Sequence, residues 1–311
     1  MEERNFRRDA LKVSRRGLLA GGLAAGPALA LLHEAVPHEG LHAALGGHDA
    51  GAEATHDHAG ASGGVPGHAD DTGHAGATFK AGGRVDHAAN GFNPTEILRD
   101  FDYGKTRRLP SGRVLREWEV VALEKEIEIA PGVRFPAWTF NGRIPGPTLR
   151  CREGERLRVR FHNSSAHPHT IHFHGIHPAE MDGVPGIGAG IIPPGKSTVY
   201  EFDARPFGLH LYHCHVAPLA EHIARGMYGT FIVDPQQGRP EADELVMVQH
   251  GYNTTFDGEG NQFYAVNGIP FHYMHEPVRV RRDELVRIYL VNTLEYDPIN
   301  SFHIHGNFFH Y

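Results

Sequence analysis

An internal repeat is the feature of this sequence that most constrains its fold. Each copy has an Asn-Gly turn that ends in Ile-Pro, then a run of alternating apolar and polar residues, then a His-x-His-Gly segment. The first copy consists of residues 140–145 (FNGRIP), 157–161 (LRVRF) and 172–175 (HFHG), and the second of residues 266–270 (VNGIP), 286–290 (VRIYL) and 303–306 (HIHG). Period-2 strands separated by turns, occurring twice, predict an all-β sandwich that has been duplicated once.

The turn composition agrees with short strands in Greek-key sandwiches. The sequence contains 38 Gly and 21 Pro, and such residues are concentrated where strands reverse. The repeat predicts a first sandwich over residues 113–235 and a second over residues 236–311, after a connecting segment at 91–112. At 311 residues the chain is long enough for two domains of ordinary size.

The second copy is expected to be incomplete. In the first copy, 41 residues separate His174 from His215 and a further 18 reach Val233. The chain stops six residues after His305. By comparison with the first copy, about 60 residues of the second sandwich are therefore missing from this sequence, which predicts a fragment.

The tripeptide His213-Cys214-His215 has the chemistry of a metal site. It is followed by His222 and then by Met227. A thiolate, imidazoles and a weak thioether are the ligand set of a mononuclear blue copper site. Because successive side chains of a strand point to opposite faces, Cys214 could bind one metal while its two neighbours reach metals on the other side. The tripeptide could therefore connect an electron-accepting copper to a second copper cluster.

Two other histidine motifs could supply the remaining ligands. His169, His172 and His174 lie upstream, and His303 and His305 lie downstream. In each His-x-His pair, the period of a strand puts both imidazoles on one face as convergent ligands. A single buried histidine is usually a core residue bonded to backbone, but three ordered motifs together indicate a metal centre.

These motifs resemble those of the cupredoxin-type multicopper oxidases, and in particular the two-domain enzymes with the type 1 copper in the first domain. The family pattern matches residues 169–227, and the resemblance covers about residues 114–311. It implies tandem cupredoxin-like sandwiches and copper as the cofactor. It also implies a laccase-like reaction, in which a small-molecule or metal-ion donor is oxidised one electron at a time and dioxygen is reduced to water.

The resemblance assigns a copper to each ligand. The type 1 copper would be held by His169, Cys214, His222 and Met227. The type 2 copper would be held by His172 and His303. The binuclear type 3 site would be held by His174, His213, His215 and His305. In the second copy, Asn300 replaces the first type 1 histidine, which predicts a single type 1 copper.

The resemblance also suggests a proton donor and an assembly. Asp182, ten residues after His172, resembles the family's acid beside the cluster, although an aspartate in a turn before Gly183 is the alternative reading. Electrons would enter through the imidazole of His169 or His222, whichever is open at the surface. In the two-domain enzymes the cluster lies between neighbouring subunits, which implies a homotrimer closed by heterologous contacts.

The N-terminus predicts the compartment. Residues 14–19 (SRRGLL) and the apolar run 18–32 indicate a twin-arginine export signal over residues 1–32, with a small-residue cleavage site at 28–30 (ALA). The run is short and glycine-rich for a membrane span, although an uncleaved anchor is the alternative. We therefore expect a periplasmic, cell-surface or extracellular protein without a membrane span in its mature form.

A histidine-rich segment follows the signal. Residues 33–90 contain nine histidines among Ala, Gly and Asp, and almost no large apolar residues. Such a composition cannot offset the entropy of ordering, which predicts a disordered linker. Its role would be that of a flexible spacer or of a weak copper-collecting tail.

Composition narrows the partners and the donor. The net charge of −7 argues against nucleic acid, and the two cysteines give no disulfide framework, which leaves Cys151 as a strand thiol without an assigned role. A thioether ligand such as Met227 favours a modest potential, so phenols, aromatic amines and low-valent metal ions are the expected donors. Oxidation of cuprous ions is less favoured, because only five methionines occur.

Two other functions fit parts of the sequence. Copper nitrite reductases share the two-domain trimeric architecture, but in them no histidine ligand follows the cysteine and an acidic residue occupies the position of His172. His215 and His172 therefore favour dioxygen over nitrite. A non-catalytic copper carrier or electron-transfer protein would need neither His213 and His215 nor the pair His303 and His305.

Overall fold

The computed structural model describes residues 83–296, 301–306 and 308–311. The predicted export signal, the predicted linker as far as residue 82 and Asn300 lie outside these described residues. All described residues belong to one compact unit. Within them, we find no helix with the length and apolar character needed to cross a bilayer.

Strands dominate the described residues, which confirms the predicted all-β class. The strands are β1 (Phe101–Asp102), β2 (Lys105–Arg108), β3 (Val114–Ala130), β4 (Val133–Phe140), β5 (Thr148–Arg152), β6 (Arg156–Asn163), β7 (His172–Phe173), β8 (Ser197–Asp203), β9 (Gly208–His213), β10 (Tyr228–Asp234), β11 (Asp243–Tyr252), β12 (Phe263–Val266), β13 (Ile269–Pro270) and β14 (Val286–Asn292). The helices are short: α1 (His87–Asn90), α2 (Pro94–Ile97), α3 (Leu219–Ala224), α4 (His272–His275) and a 3-10 turn at Ala179–Met181.

The first sandwich consists of two five-stranded sheets. One has the strand order β1-β5-β10-β9-β7, and the other has the order β2-β3-β6-β8 with β4 paired to β3. Their inner faces share one core, to which Phe161, Phe173, Tyr212 and Phe231 contribute aromatic rings. Burial of each such side chain stabilises the fold by about 1.5–3 kcal/mol. The core thus holds β7 and β9, which carry site residues, against a rigid second sheet.

The internal repeat is visible in two equivalent asparagines. Asn141 and Asn267 both have a positive φ, of 55° and 57°. Asn141 donates its backbone N–H to the carbonyl of Val121 at 2.8 Å, and its side-chain Oδ1 accepts from the N–H of Val121 at 2.7 Å. Asn267 makes the same two bonds with Val248, at 2.9 and 3.0 Å. The same turn therefore anchors both copies, as the duplicated sequence predicted.

The second copy forms a four-stranded sheet of order β13-β12-β11-β14. This sheet packs on the first sandwich through β10, both faces of which are buried. Phe231 and Val233 of β10 belong to the first core, whereas Tyr228 and Ile232 belong to a second core shared with β11. Because successive side chains of β10 point to opposite faces, this one strand packs against both copies. The boundaries at 113–235 and 236–311, and the incompleteness of the second sandwich, stay predictions.

The segment before the first sandwich is ordered from Gly83 onward, so the predicted disorder of residues 33–90 is wrong for residues 83–90. Asp86 caps α1 by accepting hydrogen bonds from the backbone N–H groups of Ala88 and Ala89. The side chain of Asn90 bonds the backbone of Glu128 in β3 in both directions, at 2.9 and 3.0 Å. These contacts offset the entropy of ordering, and composition alone does not reveal them.

Candidate metal centre

Cys214, His169 and His222 meet inside the first core. Sγ of Cys214 lies 3.1 Å from Nδ1 of His222 and 3.6 Å from Nδ1 of His169. All three side chains are buried, and burial lowers the pKa of His169 to about 3 and that of His222 to about 4. Both imidazoles are therefore neutral at pH 7 and can offer a lone pair to a metal.

The chain after β9 folds back so that the remaining predicted ligand joins this cluster. Cys214 follows the last residue of β9 and donates its backbone N–H to the carbonyl of Met227 at 3.0 Å. Met227 in turn donates its N–H to His222 at 3.1 Å. The side chain of Met227 is fully buried in the same core as Cys214. Three of the four predicted type 1 residues therefore converge directly, and the fourth is packed close by.

A glycine allows the chain to fold back from α3 toward Cys214. Gly226, between α3 and Met227, has a φ of +114°, and a Cβ there would come within 2.2 Å of the Ile144 side chain. Any other residue would force the turn away from the core.

Two residues that the sequence analysis missed complete the surroundings of the sulfur. Thr170 donates its N–H to Sγ of Cys214 at 3.5 Å, and its hydroxyl accepts from the N–H of His215 at 3.0 Å. The Trp138 ring packs edge-on against His169 and His222, with centroids 5.6 and 4.8 Å away. Thr170 could have been noticed from its place between the histidines, whereas nothing local in the sequence marks Trp138.

The second cluster lies on the opposite side of the tripeptide. His172, His174 and His213 offer nitrogens within 4.8 Å of one another, and the His215 ring is 5.2 Å from that of His172. The pairing of β7 with β9 places His172 directly across from His213. Nε2 of His174 and Nε2 of His213 are 2.8 Å apart. The first-copy histidines predicted to hold type 2 and type 3 copper are therefore together.

Hydrogen bonds orient the imidazoles of this cluster. Nδ1 of His172 is 2.7 Å from the carbonyl of Asp182, and Nδ1 of His213 is 2.8 Å from the carbonyl of Cys214. Because a carbonyl only accepts, Nδ1 carries the proton in both rings and Nε2 keeps its lone pair. Burial lowers the pKa of His213 to about 4, so this ring is neutral as well.

Asp182 lies beside the cluster, as predicted. Its Oδ1 is 3.1 Å from Nδ1 of His172 and 3.2 Å from Nε2 of His177. The following Gly183 has a φ of +69°, and a Cβ there would come within 1.8 Å of the Ile171 carbonyl, so the loop can approach β7 only with glycine. His177 was missed by the sequence analysis, although its place five residues after His172 is a usable signal.

His303 and His305 are the predicted ligands that the structure does not bring to this cluster. Their rings lie 4.6 Å apart, but both side chains are exposed and their segment has no regular secondary structure. Within the described residues, neither joins a group of potential ligands with the first-copy histidines. The strand geometry expected for this pair is therefore not observed.

The group formed by His169, Cys214 and His222, which we call the sulfur site, has one side near the surface. His222 lines a pocket of about 690 Å³ together with Trp138, Pro218, Glu221 and Arg225. Arg225 lies 4.7 Å above the Trp138 ring and forms an ion pair with Glu221 at 3.0 Å. His169 does not line this pocket and is fully buried. Of the two candidate entry points for electrons, His222 is the one that adjoins a surface pocket, although its side chain is buried.

Comparison with known proteins identifies the family. Residues 122–238 match the family model for multicopper oxidase. A crystal structure of a multicopper oxidase has a TM-score of 0.71 and 65% sequence identity, and the match covers 73% of this chain and 80% of that one. This chain belongs to the multicopper oxidase family. The protein is therefore a copper-binding oxidoreductase, and the predicted family and cofactor are confirmed.

Two further similar proteins share less of their sequence with this chain. The structure of a blue copper oxidase from Nitrosomonas europaea has a TM-score of 0.53 and 30% identity, covering 58% of this chain and 61% of that one. A copper-containing nitrite reductase from Neisseria meningitidis serogroup A / serotype 4A is 34% identical over 206 residues, which are 60% of this chain and 52% of the relative. The chain thus spans about half the length of such curated relatives.

The donor atoms of both clusters fit copper. A thiol with two neutral imidazoles suits a soft metal ion, and the second cluster consists of imidazoles, of which His172 and His213 carry their proton on Nδ1 and keep a lone pair on Nε2. Burial raises the pKa of Cys214 to about 11, so a bound metal is needed to hold the sulfur as a thiolate at neutral pH.

Proposed function

We propose that this multicopper oxidase couples one-electron oxidation of a phenolic or aromatic amine donor to four-electron reduction of dioxygen to water. The observation that carries the proposal is the division of the tripeptide, with Cys214 in the sulfur site and His213 and His215 in the imidazole cluster. Bound copper would supply the redox chemistry, in which four single electrons and four protons convert one dioxygen to two waters.

The ligand roles follow the convergence of the side chains. His169, Cys214 and His222, with Met227, would hold the type 1 copper. The first-copy imidazoles of the cluster would contribute to the type 2 and type 3 sites: His172, His174, His213 and His215. The backbone N–H of Thr170 would stabilise the cysteine sulfur as a thiolate, because a donated hydrogen bond favours the charged form.

The pocket at His222 is the proposed donor site. Trp138 lies edge-on to the imidazole in the wall of this pocket, and the exposed His167 ring beside Trp138 would offer a face against which a planar donor can pack. Among the described residues, no methionine lines the pocket, which favours an organic donor over cuprous ion. The donor would lose one electron at a time through the imidazole of His222.

The proposed route for protons runs past Asp182. Its Oδ1 lies 3.1 Å from Nδ1 of His172 and 3.2 Å from Nε2 of His177, so a proton held on this carboxyl would lie beside the cluster. The carboxylate also fixes the orientation of the His172 ring, because both its Oδ1 and the backbone carbonyl lie close to Nδ1.

We further propose that the cluster is completed by a neighbouring subunit in a homotrimer. His174 is exposed, so the first-copy cluster is open on one side, and His303 and His305 are exposed as well. Heterologous contacts would bring the second copy of one subunit to the first copy of the next. The N-terminal sequence supports export by the twin-arginine route to the periplasm, the cell surface or the medium.

The test compares two reactions of the copper-loaded full chain. With a phenolic donor in air, we expect consumption of one dioxygen per four donor molecules; with nitrite and no oxygen, we expect no nitric oxide. Nitrite is the relevant competitor, because a relative of this chain is a copper-containing nitrite reductase. Nitric oxide formation without oxygen consumption would overturn the proposal in favour of that activity. One copper per chain with neither reaction would indicate a copper carrier.

A further inference from the structure

A second group of potential metal ligands lies away from the copper clusters. His87 of α1, His272 of α4 and Glu276 each offer one ligand atom, and these atoms lie within 4.8 Å of one another. The His87 and His272 rings are 4.9 Å apart, edge to face. A small cavity of about 50 Å³ adjoins them, large enough for an ion and one water. We call these three residues the arm cluster.

We propose that the arm cluster binds one zinc ion. The ion would fasten residues 83–100, which we call the arm, to the second copy. Two imidazoles and a carboxylate, with a fourth position open, are a common ligand set for zinc. The function proposed for the copper clusters does not use any of these side chains.

The protonation pattern suits a metal. Nε2 of His272 is 2.7 Å from the Thr95 hydroxyl, which donates to Oε2 of Glu276 at 3.2 Å. Since that hydroxyl proton points to the carboxylate, Nε2 of His272 must donate to the hydroxyl oxygen. Burial lowers the pKa of His272, so the ring carries a single proton. That proton would move to Nδ1 when Nε2 binds a metal, and the ring would stay neutral.

An unpartnered nitrogen points independently to a ligand. Nδ1 of His87 is buried and has no hydrogen-bond partner among the described residues. A buried polar atom without a partner is unfavourable, and a bound cation or water would offset that cost. His272 is itself only 5% exposed, so the cluster is a built site rather than a surface grouping.

The positive charge of Arg84 lies close to the arm cluster and opposes cation binding. Arg84 forms an ion pair with Oε1 of Glu276 at 3.0 Å. This pair uses the carboxylate oxygen that faces away from His272, since Oε2 is the atom 3.6 Å from Nε2. Arg84 is 64% exposed, so water screens its charge. The guanidinium can therefore remain as a partner of Oε1 while Oε2 binds the metal.

Other contacts already hold the later residues of the arm to the second copy. Tyr273 of α4 donates to the carbonyl of Pro94 at 2.8 Å, and Leu98 accepts from the N–H of Val246 in β11 at 2.9 Å. The arm is thus already held to the second copy at its later residues. A zinc ion on His87 would fix its first turn as well.

The test measures zinc in the copper-loaded full chain by mass spectrometry of the metals, together with hydrogen exchange. With zinc added, we expect one more bound zinc per chain than in His87→Gln or Glu276→Gln, and slower exchange in peptides covering residues 84–98 and 270–277. Loss of a ligand should weaken zinc binding by at least the about 10- to 100-fold seen when outer partners of a ligand are removed.

The control is His162→Gln, which removes an exposed histidine of β6 that belongs neither to the arm cluster nor to its cavity. It should keep both the zinc and the protection. The histidine-rich segment before residue 87 is identical in all variants, so its zinc cancels in the comparison. Equal zinc content and equal protection in wild type and His87→Gln would overturn the proposal, as would their loss in His162→Gln. The melting temperature without added zinc reports whether each variant is folded.

Discussion

At the scale of single residues, the chemistry of the chain divides at one cysteine. Cys214 faces two buried imidazoles, while the histidines on either side of it reach a different cluster. The ligands could be named from the sequence because metal chemistry depends on residue type and on period-2 spacing. Trp138 and His177 could not, because their contribution is contact with a ring or a carboxylate brought near by folding.

Replacing Cys214 by serine tests the sulfur site. We expect Cys214→Ser to lose the intense blue absorption, since copper–thiolate bonding produces it. Absorption near the visible maximum, with copper content measured alongside, checks the result. Cys151→Ser is the matched control, because Cys151 is also a buried free thiol but lies in β5. A blue band that survives in Cys214→Ser would contradict the assignment.

Replacing Asp182 by asparagine tests the proton route. General acid catalysis contributes about 10²–10⁴-fold, so Asp182→Asn should slow oxygen reduction by about 100-fold or more. The blue absorption should persist, because Asp182 does not contact the sulfur site. Turnover under saturating donor, measured across pH, separates this effect from a loss of copper.

The control for that variant is Glu180→Gln, which removes an exposed acid in the neighbouring 3-10 turn. Its turnover should equal that of the wild type. If Asp182→Asn also retained full turnover, the aspartate would be a turn residue and nothing more.

At the scale of elements, a buried arginine joins strands from both copies. Arg150 of β5 is 7% exposed and pairs with Asp234 of β10 and Glu244 of β11. Its guanidinium also lies 4.7 Å above the Phe101 ring. The sequence offered no sign of this junction, since nothing in a strand pattern states which strands from different sheets will meet.

Removing that arginine should destabilise the junction. Arg150→Met would leave two carboxylates without their partner, and breaking a buried ion pair costs about 3–5 kcal/mol. Because Asp234 and Glu244 retain some exposure and other arginine partners, we expect about 3 kcal/mol in urea unfolding. Arg134→Met, in an exposed pair with Glu126, should change stability by less than about 0.5 kcal/mol. Equal effects of the two changes would contradict this account.

At the scale of the whole molecule, His303 tests whether a neighbouring subunit completes the imidazole cluster. If a neighbouring subunit completes the cluster, His303→Ala should abolish oxygen reduction while the blue absorption and the trimer mass by light scattering stay unchanged. His310→Ala, which removes another exposed histidine nearby, should retain activity. Loss of the blue colour in His303→Ala would show that the assigned roles are wrong.

The free energy of unfolding at acidic pH tests one contact between the arm and the second copy, the ion pair of Arg99 with Asp243. A hydrogen bond from Arg99 lowers the pKa of Asp243 below its usual value of about 3.9. The unfolded chain therefore binds this proton more readily, and the stabilisation is complete above about pH 4 and is lost as the pH falls through the folded pKa.

The variant Asp243→Asn isolates this contribution. Arg99 is partly exposed, so we expect the variant to be less stable by about 0.5–1 kcal/mol at pH 6 to 7. The difference between the two proteins should shrink as the pH falls below about 4, as measured by urea unfolding at several pH values. A difference independent of pH would mean that the lost contact is not the ion pair.

The sequence by itself determined the duplicated all-β architecture, and it marked the cysteine and the first-copy histidines that the structure brings together in two clusters. Strand period, turn residues and metal-ligand chemistry are local properties, so they are legible without coordinates. The tertiary structure alone decided that His222 rather than His169 faces a pocket, and that Asp182 contacts both His172 and His177. It also decided that residues 83–90 are ordered. These outcomes depend on burial and on contacts between distant segments, which only the packing of the folded chain sets.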